Sequence, residues 1–271
     1  MTLSQIKDLL KRHNAFPKKQ FGQNFLHDQN AIKKILATAD IKPDDIIVEI
    51  GPGVGNLTQE LAKLAKNVIA IEKDRVMVKI LKDTLTSALN VEISEADILK
   101  FNEAQLPKNY KIVANLPFYL AAPAIRKFLE SKNPPSLMAL IIQKEVAQRI
   151  VALPPQMSLL SVSVQFYADV KITSRIKKVC FWPSPKVDSA IIKIIPQKNN
   201  CQKDFVENFF KIARAGFSHP RKQLANNLAK ELDIDRGEAE YLLKQCAIES
   251  TQRAETLTVE QWKMLSHSFS G

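Results

Sequence analysis

The sequence predicts an α/β fold in which a mostly parallel sheet ends in an antiparallel hairpin and is followed by a small all-α domain. Short apolar runs alternate with helical patterns between Ile46 and Val151, and strand–helix alternation of this kind builds a parallel sheet covered on both faces. Two β-branched runs, 160–167 and 189–195, then follow each other without a clear helix between them, which indicates the hairpin. After residue 196 only helical patterns remain.

The N-terminal arm, residues 1–25, is polar and basic and is expected to hold at most a short helix around Leu3–His13. Asp28 is a candidate N-cap for the next helix. That helix is predicted over Asn30–Ala39, where isoleucine and leucine side chains form an apolar stripe.

The alternating region can be assigned element by element because each apolar run is short. The predicted strands are Ile46–Ile50, Asn67–Ile71, Val91–Ser94, Lys111–Ala114, Leu137–Ile142, Leu160–Tyr167 and Ser189–Ile195. The predicted helices are Leu57–Ala65, Asp74–Leu89, Ala124–Leu129 and a further one that runs to Val151.

The pattern breaks at Pro196–Asn200, which predicts two domains, 1–195 and 196–271. The second domain is expected to be small and helical. Its predicted helices are Phe205–Ala215, Lys222–Ala229, Arg236–Cys246 and Val259–Phe269. The spacing of Phe205, Phe209 and Phe210 is typical of a buried helical face rather than of a stacking platform.

The net charge of +11 is unevenly distributed. Residues 1–25 carry five basic side chains against one acid, and residues 171–193 carry six against one, whereas 197–271 is nearly balanced. Clustered positive charge favours a surface that binds a polyanion over a basic surface that only maintains solubility. A helix start with basic residues at His219–Gln223 fits an RNA contact and a solvated helix end equally well.

The remaining composition excludes several classes of protein. The three cysteines stand far apart, no CxxC spacing occurs and there are four histidines, so we expect no metal site and a reducing environment. No apolar leader stands at the N-terminus and no apolar run approaches the length of a membrane span. These observations predict a cytoplasmic protein without a membrane segment.

A glycine-rich segment, Glu49–Gly55, directly follows the first predicted strand of the sheet. Glycines at this position let the backbone turn sharply and approach a ligand. The spacing is G-x-G-x-G, with Asn56 where a dinucleotide-binding fold has its third glycine. No Lys-Ser/Thr pair follows, which excludes a phosphate-binding P-loop.

Two acidic residues follow the next two strands. Glu72 ends the second strand, 21 residues after Gly51, where it can accept both ribose hydroxyls of a nucleoside. Asp97 follows the third strand and can accept from the exocyclic amine of adenine. Because carboxyl ends of parallel strands meet at one edge, the three positions predict a nucleoside pocket. The missing pyrophosphate site favours S-adenosylmethionine over NAD as the cofactor.

A second motif, Asn115-Leu116-Pro117-Phe118, ends the fourth strand. Asn115 and the backbone carbonyl of Leu116 or Pro117 can accept from one amino group, and Phe118 offers a ring face. Two acceptors on the hydrogens of the adenine N6 would localise its lone pair. Catalysis of methyl transfer would then need alignment and electrostatics rather than a strong general base.

With these motifs in place, the chain resembles the ribosomal RNA adenine dimethyltransferase family over nearly its whole length, in particular the bacterial enzymes acting on 16S rRNA. Five ordered blocks carry the resemblance: Gln23–Leu26, Glu49–Thr58, Asn115–Phe118, Gln143–Ala147 and Phe181–Ser189. It implies a Rossmann-like class I methyltransferase domain that binds S-adenosylmethionine over 1–195, and a helical RNA- or ribosome-binding domain over 196–271. It also implies a monomer that dimethylates N6 of two adjacent adenosines in the 3′-terminal hairpin loop of 16S rRNA, within the 30S subunit precursor.

The resemblance also assigns site residues. The cofactor would be bound by Asn24, Leu26, Gly51, Glu72, Asp97 and Asn115. The catalytic set would be Asn115, Leu116, Pro117, Phe118 and Phe181, with the two phenylalanines stacking the flipped target base.

The sequence departs from the family pattern at three places. The family commonly has Tyr where Phe118 stands. It often has Asn soon after this ring, where this chain reads Tyr119-Leu120-Ala121-Ala122, and Arg-Arg-Lys where this chain reads His219-Pro220-Arg221-Lys222. These departures concern contacts with the target rather than with the cofactor. Three other functions fit the residues: methylation of 23S rRNA adenine, methylation of a protein or small molecule, and RNA binding in ribosome assembly without catalysis.

Overall fold

The computed structural model describes residues 1–197 and 201–269. The chain forms two compact units. The first consists of Met1–Ala147 and Asp169–Pro196, and the second of Gln148–Ala168 and Gln197–Gly271. Residues 198–200 of the predicted boundary segment Pro196–Asn200 lie outside the described residues.

The first unit is built on a seven-stranded sheet. Its strands are β2 (Ile46–Ile50), β3 (Asn67–Glu72), β4 (Val91–Glu95), β5 (Lys111–Asn115), β6 (Leu137–Gln143), β7 (Ala168–Ile176) and β9 (Ser189–Pro196). A separate two-stranded sheet pairs β1 (Phe25–Leu26) antiparallel with β8 (Phe181–Trp182).

The order of the strands in the large sheet is β4-β3-β2-β5-β6-β9-β7. The five strands from β4 to β6 run parallel, with Val48 opposite Ile69 in the β2–β3 pair. β9 pairs antiparallel with β6, with Leu140 opposite Ile192. The predicted mostly parallel sheet with antiparallel strands at its end is therefore confirmed.

Helices flank this sheet. They are α1 (Leu3–Arg12), α2 (Gln29–Ala39), α3 (Asn56–Leu64), α4 (Arg75–Thr84), α5 (Ala121–Leu129) and α6 (Lys144–Ile150). The first unit ends within α6, at Ala147. Asp28 caps α2 as predicted, because its carboxylate accepts from the Ala31 amide at 2.7 Å. Asp74 caps α4 in the same way.

The core of the first unit explains why its parallel strands read as continuous apolar runs. Both faces of a parallel sheet are covered, so successive side chains are buried on opposite sides. Ile47 and Val48 of β2, and Ile112 and Val113 of β5, are all fully buried. Apolar burial of this kind contributes roughly 1.5–3 kcal/mol per large side chain.

The second unit is helical. Its helices are α7 (Leu159–Gln165), α8 (Lys203–Gly216), α9 (Leu224–Leu232), α10 (Arg236–Gln245) and α11 (Val259–Ser268). The predicted core phenylalanines of α8 do pack inward: Phe209 is fully buried and its ring centroid lies 4.2 Å from that of Phe166. Trp262 of α11 is also fully buried in this core.

The predicted strand Leu160–Tyr167 is wrong, because most of this segment forms α7. Ser158 and Ser161 make a capping box at its start, in which the Ser158 hydroxyl accepts from the Ser161 amide at 3.3 Å. Val162 and Phe166, spaced by one helical turn, face the core of the second unit. The strands β1, β7 and β8 were not predicted from the sequence. The alternating exposure of β7 is typical of a strand at the edge of a sheet.

Other predicted elements differ mainly at their ends. α4 ends at Thr84 rather than Leu89, and α9 begins at Leu224 rather than Lys222. Across the described residues, no helix combines the length and apolarity that a membrane span requires.

Candidate active site

A cleft of about 1160 Å³, including space open to solvent, lies at the carboxyl ends of β2, β3, β4 and β5. We call it the strand-end cleft. It brings together every site residue that the sequence analysis singled out: Asn24, Leu26, Gly51, Glu72, Asp97, Asn115, Leu116, Pro117, Phe118 and Phe181.

The floor of the cleft is the glycine turn after β2. Gly51 has φ of +66° and Gly53 has φ of +60°, backbone angles that residues with a side chain rarely adopt. A Cβ at Gly53 would lie 3.0 Å from the ring of Phe25, whereas a Cβ at Gly51 would meet no protein atom within 4 Å. The space above Gly51 therefore stays open to a ligand.

Glu72, the last residue of β3, is buried at the wall of the cleft. One carboxylate oxygen accepts from the amide of Asp74 at 2.8 Å, and the other accepts from the amide of Gly53 at 3.1 Å. Burial raises the pKa of Glu72, and these two hydrogen bonds oppose the shift. Each carboxylate oxygen has a second lone pair, so the fixed side chain can accept from a ligand's hydroxyl groups.

Glu49 is a functional candidate that the sequence analysis named only as part of the glycine motif. It lines the cleft and is almost completely buried. Burial raises the pKa of Glu49 to about 8. The nearby Thr58 hydroxyl lowers this pKa, but neither it nor Glu49 Oε2 completes a hydrogen bond among the described residues. The sequence signal that could have identified Glu49 is the presence of a carboxyl group inside the otherwise apolar run Ile46–Ile50.

Asp97, just after β4, is held from two sides. Its Oδ2 pairs with the Lys73 ammonium at 2.9 Å and its Oδ1 accepts from the Leu99 amide at 3.0 Å. The Lys73 hydrogen bond lowers the pKa of Asp97, so the carboxylate stays ionised. Lys73 also lines the cleft. No pattern in the sequence indicated this ion pair.

Asn115 ends β5, and its side-chain amide has a defined orientation. Its Nδ2 donates to the backbone carbonyl of Asn24 at 3.0 Å. The Oδ1 of the same amide therefore remains the acceptor available to a ligand. The carbonyl of Pro117 accepts from the amide of Leu120 at 2.9 Å, which closes the turn into α5.

Aromatic rings line the same cleft. Phe181 is buried and Phe118 is half-buried. Phe181 reaches the cleft because β8 pairs with β1, which places it opposite Leu26. Tyr119, at a position where the chain departs from the family pattern, is 56% exposed and also lines the cleft.

A parallel sheet with a glycine turn and two carboxylates at adjacent strand ends, beside an Asn-Leu-Pro-Phe loop, is the arrangement of a Rossmann-like methyltransferase. The ribosomal RNA adenine dimethylase family model matches residues 14–270. The chain belongs to this family, and it is a methyltransferase, as predicted.

Curated relatives cover nearly the full chain. The chain is 43% identical to ribosomal RNA small subunit methyltransferase A of Dehalococcoides mccartyi, over 97% of this chain and 92% of the relative. It is 39% identical to the protein of that name from Clostridioides difficile, over 96% of this chain and 93% of the relative.

Solved structures agree with the fold. A dimethyladenosine transferase from Plasmodium falciparum matches with a TM-score of 0.78 and 26% identity, covering 91% of this chain and 97% of its own. The 23S rRNA methyltransferase ErmE matches with a TM-score of 0.75 and 25% identity, covering 92% of this chain and all of its own. The roles of the individual cleft residues stay predictions. Within 1–197 and 201–269, no group of three or more His, Cys, Asp or Glu side chains could hold a metal ion.

Proposed function

We propose that this enzyme uses S-adenosylmethionine to dimethylate N6 of two adjacent adenosines in the 3′-terminal hairpin loop of 16S rRNA during small-subunit assembly. The observation that carries the proposal is the Asn115 amide, whose Oδ1 acceptor lies in the same cleft as Glu72 and Asp97. The names of the relatives at about 40% identity support the small subunit as the target.

The residues of the strand-end cleft fit S-adenosylmethionine. Glu72 would accept the ribose hydroxyls, and ionised Asp97 would accept the adenine amine. The buried acceptor Glu49 Oε2 lacks a partner among the described residues and offers a place for a cationic part of the cofactor. Leu26 and the open space above Gly51 would complete the contacts. When bound, the cofactor supplies a methyl group already activated by its sulfonium.

The protein's own contribution is to hold the target amine in line. Asn115 Oδ1 and the carbonyl of Leu116 would accept the two N6 hydrogens. Leu116 is favoured over Pro117 because the Pro117 carbonyl, which accepts from Leu120, keeps only one lone pair for a ligand. Phe118 and Phe181 would hold the flipped base between ring faces. The N6 proton leaves after transfer, so no strong base is required at neutral pH.

The same proposal assigns the surroundings of the reaction. The domain predicted over residues 1–195 would bind the cofactor, except that Gln148–Ala168 belongs to the second unit, and the domain over 196–271 would contact RNA or the ribosomal particle. The exposed basic side chains of β7, Lys171 and Arg175, would contribute phosphate contacts. The enzyme would act in the cytoplasm as a monomer.

The test is methyl transfer from labelled cofactor to 30S subunits that lack this modification, followed by mass spectrometry of the 16S rRNA. Wild-type protein should give dimethyladenosine at two adjacent positions. Asn115→Ala should lower the rate about 100- to 1000-fold, which is the typical cost of losing one preorganised polar group at a reacting centre.

Two outcomes would overturn the proposal. Label only in large-subunit RNA would identify a 23S rRNA enzyme. No transfer by the wild type, with 30S binding unaffected by Asn115→Ala, would identify an assembly factor without catalysis.

A further inference from the structure

We propose that Lys18, Gln23 and Asp74 form a clasp that positions the reacting amide of Asn115. Gln23 lines the strand-end cleft, whereas Lys18 and Asp74 are not part of its lining. Together the three residues fix the chain segment whose backbone carbonyl orients Asn115. This inference rests on the proposed function of Asn115 as the acceptor of the target amine.

The clasp centres on the buried carboxylate of Asp74. Its Oδ1 pairs with the Lys18 ammonium at 2.9 Å, and its Oδ2 accepts from Gln23 Nε2 at 3.0 Å. The Lys18 amide donates to Gln23 Oε1 at 2.8 Å, which closes the loop. The side chain of Asp74 is 3% exposed and that of Lys18 is 39% exposed. A charge-assisted pair shielded in this way is stronger than a typical surface ion pair.

The clasped segment packs directly on the motif that follows β5. Between Lys18 and Gln23 the chain makes one short turn and then adopts a left-handed conformation at Gly22, with φ of +59°. A Cβ at Gly22 would lie 3.2 Å from the Cβ of Pro117. The Asn24 side chain donates back to the Gly22 carbonyl at 3.0 Å. The clasp therefore fixes the position of Asn24, which is the next residue in the chain.

The position of Asn24 decides which atom of Asn115 faces the target. Its carbonyl accepts from Asn115 Nδ2 at 3.0 Å. A primary amide has one acceptor side and one donor side. If the carbonyl moved away, the amide could rotate and present its NH₂ group to the target's NH₂ group, a pairing of two donors. One backbone carbonyl thus selects the orientation that can accept.

Among the proposed cofactor contacts, Asn24 and Asn115 depend on the clasp, whereas the two residues after Asn24, which also line the cleft, have anchors of their own. Phe25 and Leu26 are buried and pair with β8. The Leu26 carbonyl also accepts from Asn56 Nδ2 at 2.6 Å. Glu72 is held by the backbone amides of Gly53 and Asp74, and a change of the Lys18 or Gln23 side chain removes neither amide. Loosening the clasp should therefore affect the orientation of Asn115 more than the binding of the cofactor.

The variants are chosen to break the clasp without removing the cap of α4. Lys18→Met removes the ammonium and keeps the length of the side chain. Gln23→Glu keeps the size but places a second carboxylate against Asp74 Oδ2. Lys18→Arg retains the charge and serves as the conservative rescue. Lys19→Met is the charge-matched control, because Lys19 is the exposed neighbour of Lys18.

The measurements are kcat and KM for methyl transfer to 30S subunits, and the Kd for S-adenosylhomocysteine by calorimetry. We expect Lys18→Met and Gln23→Glu to lower kcat by about 10- to 100-fold, because small misplacements of a reacting group have effects of this size. The Kd of Lys18→Met should change by less than about threefold, a small change in free energy, because Lys18 does not line the cleft. Lys19→Met should share any rise in KM from the lost charge but keep the kcat, and Lys18→Arg should restore most of the kcat.

Several results would overturn the clasp. Equal losses of kcat in Lys18→Met and Lys19→Met would show that only charge matters. A weaker Kd with unchanged kcat would make the clasp a part of cofactor binding, and unchanged constants would leave it without a role. If the wild-type protein transfers no methyl group, the proposed function is wrong, and the clasp proposal, which depends on it, is wrong as well. If Gln23→Glu fails to fold by circular dichroism, the comparison of Lys18→Met with Lys19→Met still decides.

Discussion

Glu49 and Glu72 are two buried carboxyl groups at one cleft, and their different surroundings give them different roles. Glu72 has two backbone donors. Glu49 Oε2 has no partner among the described residues. Burial raises the pKa of both, and at Glu72 hydrogen bonds from backbone amides oppose that shift. We therefore treat Glu72 as a preorganised acceptor and Glu49 as a group that titrates.

Glu72→Gln should weaken the binding of cofactor without weakening the binding of RNA. The amide keeps the size of the side chain but replaces one carboxylate oxygen by a donor, so one hydroxyl contact and the backbone bond beside it become repulsive. Hydrogen bonds to charged groups contribute about 1.5–3 kcal/mol, so we expect a loss of roughly 10- to 100-fold in affinity for S-adenosylhomocysteine by calorimetry. Parallel losses in RNA affinity would mean that Glu72 only maintains the fold.

Glu49 should make the stability of the cofactor-free protein depend on pH. In the unfolded chain its pKa returns to 4.5, whereas burial raises the pKa to about 8 in the folded protein. Between these values the folded state holds a proton that the unfolded state has released. The free energy of unfolding should therefore fall as pH rises, by about 1.4 kcal/mol per pH unit from this group.

Glu49→Gln mimics the protonated side chain and should lose this slope. Chemical denaturation of both proteins at pH values of about 5.5 and 7.5 would measure this slope. The wild type should lose roughly 2–3 kcal/mol more in free energy of unfolding than Glu49→Gln over these two pH units. Equal slopes in the two proteins would show that Glu49 is ionised throughout.

At the scale of elements, the positions at the strand ends were predictable from the sequence alone. Gly51, Glu72 and Asn115 follow or end apolar runs, Asp97 follows the mixed strand β4, and carboxyl ends of parallel strands share an edge. Short-range patterns therefore sufficed to bring them to one cleft.

The links between these positions were not predictable in the same way. The hydrogen bond from Asn115 to Asn24 joins residues 91 positions apart. The pair of Lys18 and Asp74 joins residues 56 positions apart. A lysine in a polar segment carries no periodic signal for its partner. Such contacts depend on how the arm packs over the sheet, which composition and periodicity do not specify.

The error at Leu160–Tyr167 has a different cause. β-branched residues favour strands when nothing else is known, but here a capping box at Ser158 and an apolar core on one helical face decide the outcome. Tertiary packing thus overrides a modest local preference.

The capping box leads to a prediction about α7. Ser158→Ala removes the acceptor for the Ser161 amide, and loss of such a cap typically costs about 1 kcal/mol. Thermal denaturation of the full chain should show the loss. Ser163→Ala is the matched control, because its hydroxyl only donates to the Leu159 carbonyl within the helix, and alanine favours helix. Equal effects of the two substitutions would show that the cap does not stabilise α7.

At the scale of the whole molecule, the basic side chains behind the net charge of +11 are concentrated in particular segments of the chain. Some of the basic side chains in the N-terminal arm are already engaged, as Lys18 is with Asp74. The edge strand β7 instead presents Lys171 and Arg175 on its exposed face. Solvent-exposed cations at an uncovered sheet edge are suited to phosphate contacts, and they also discourage pairing with another strand.

RNA affinity should therefore fall steeply with salt, and the edge strand should account for part of that dependence. Each phosphate contact contributes roughly 0.7–0.9 to the slope of log affinity against log salt, because a counterion is released on binding. Changing both Lys171 and Arg175 to Gln should lower the slope by about 1.5 in titrations with 30S subunits or 16S rRNA. The control is Lys132→Gln. Lys132 is exposed and precedes β6, so it lies towards the amino ends of the strands and away from the strand-end cleft. This substitution should leave the slope unchanged. A flat salt response in the wild type would refute the polyanion surface, and an equal effect of Lys132→Gln would show that only total charge matters.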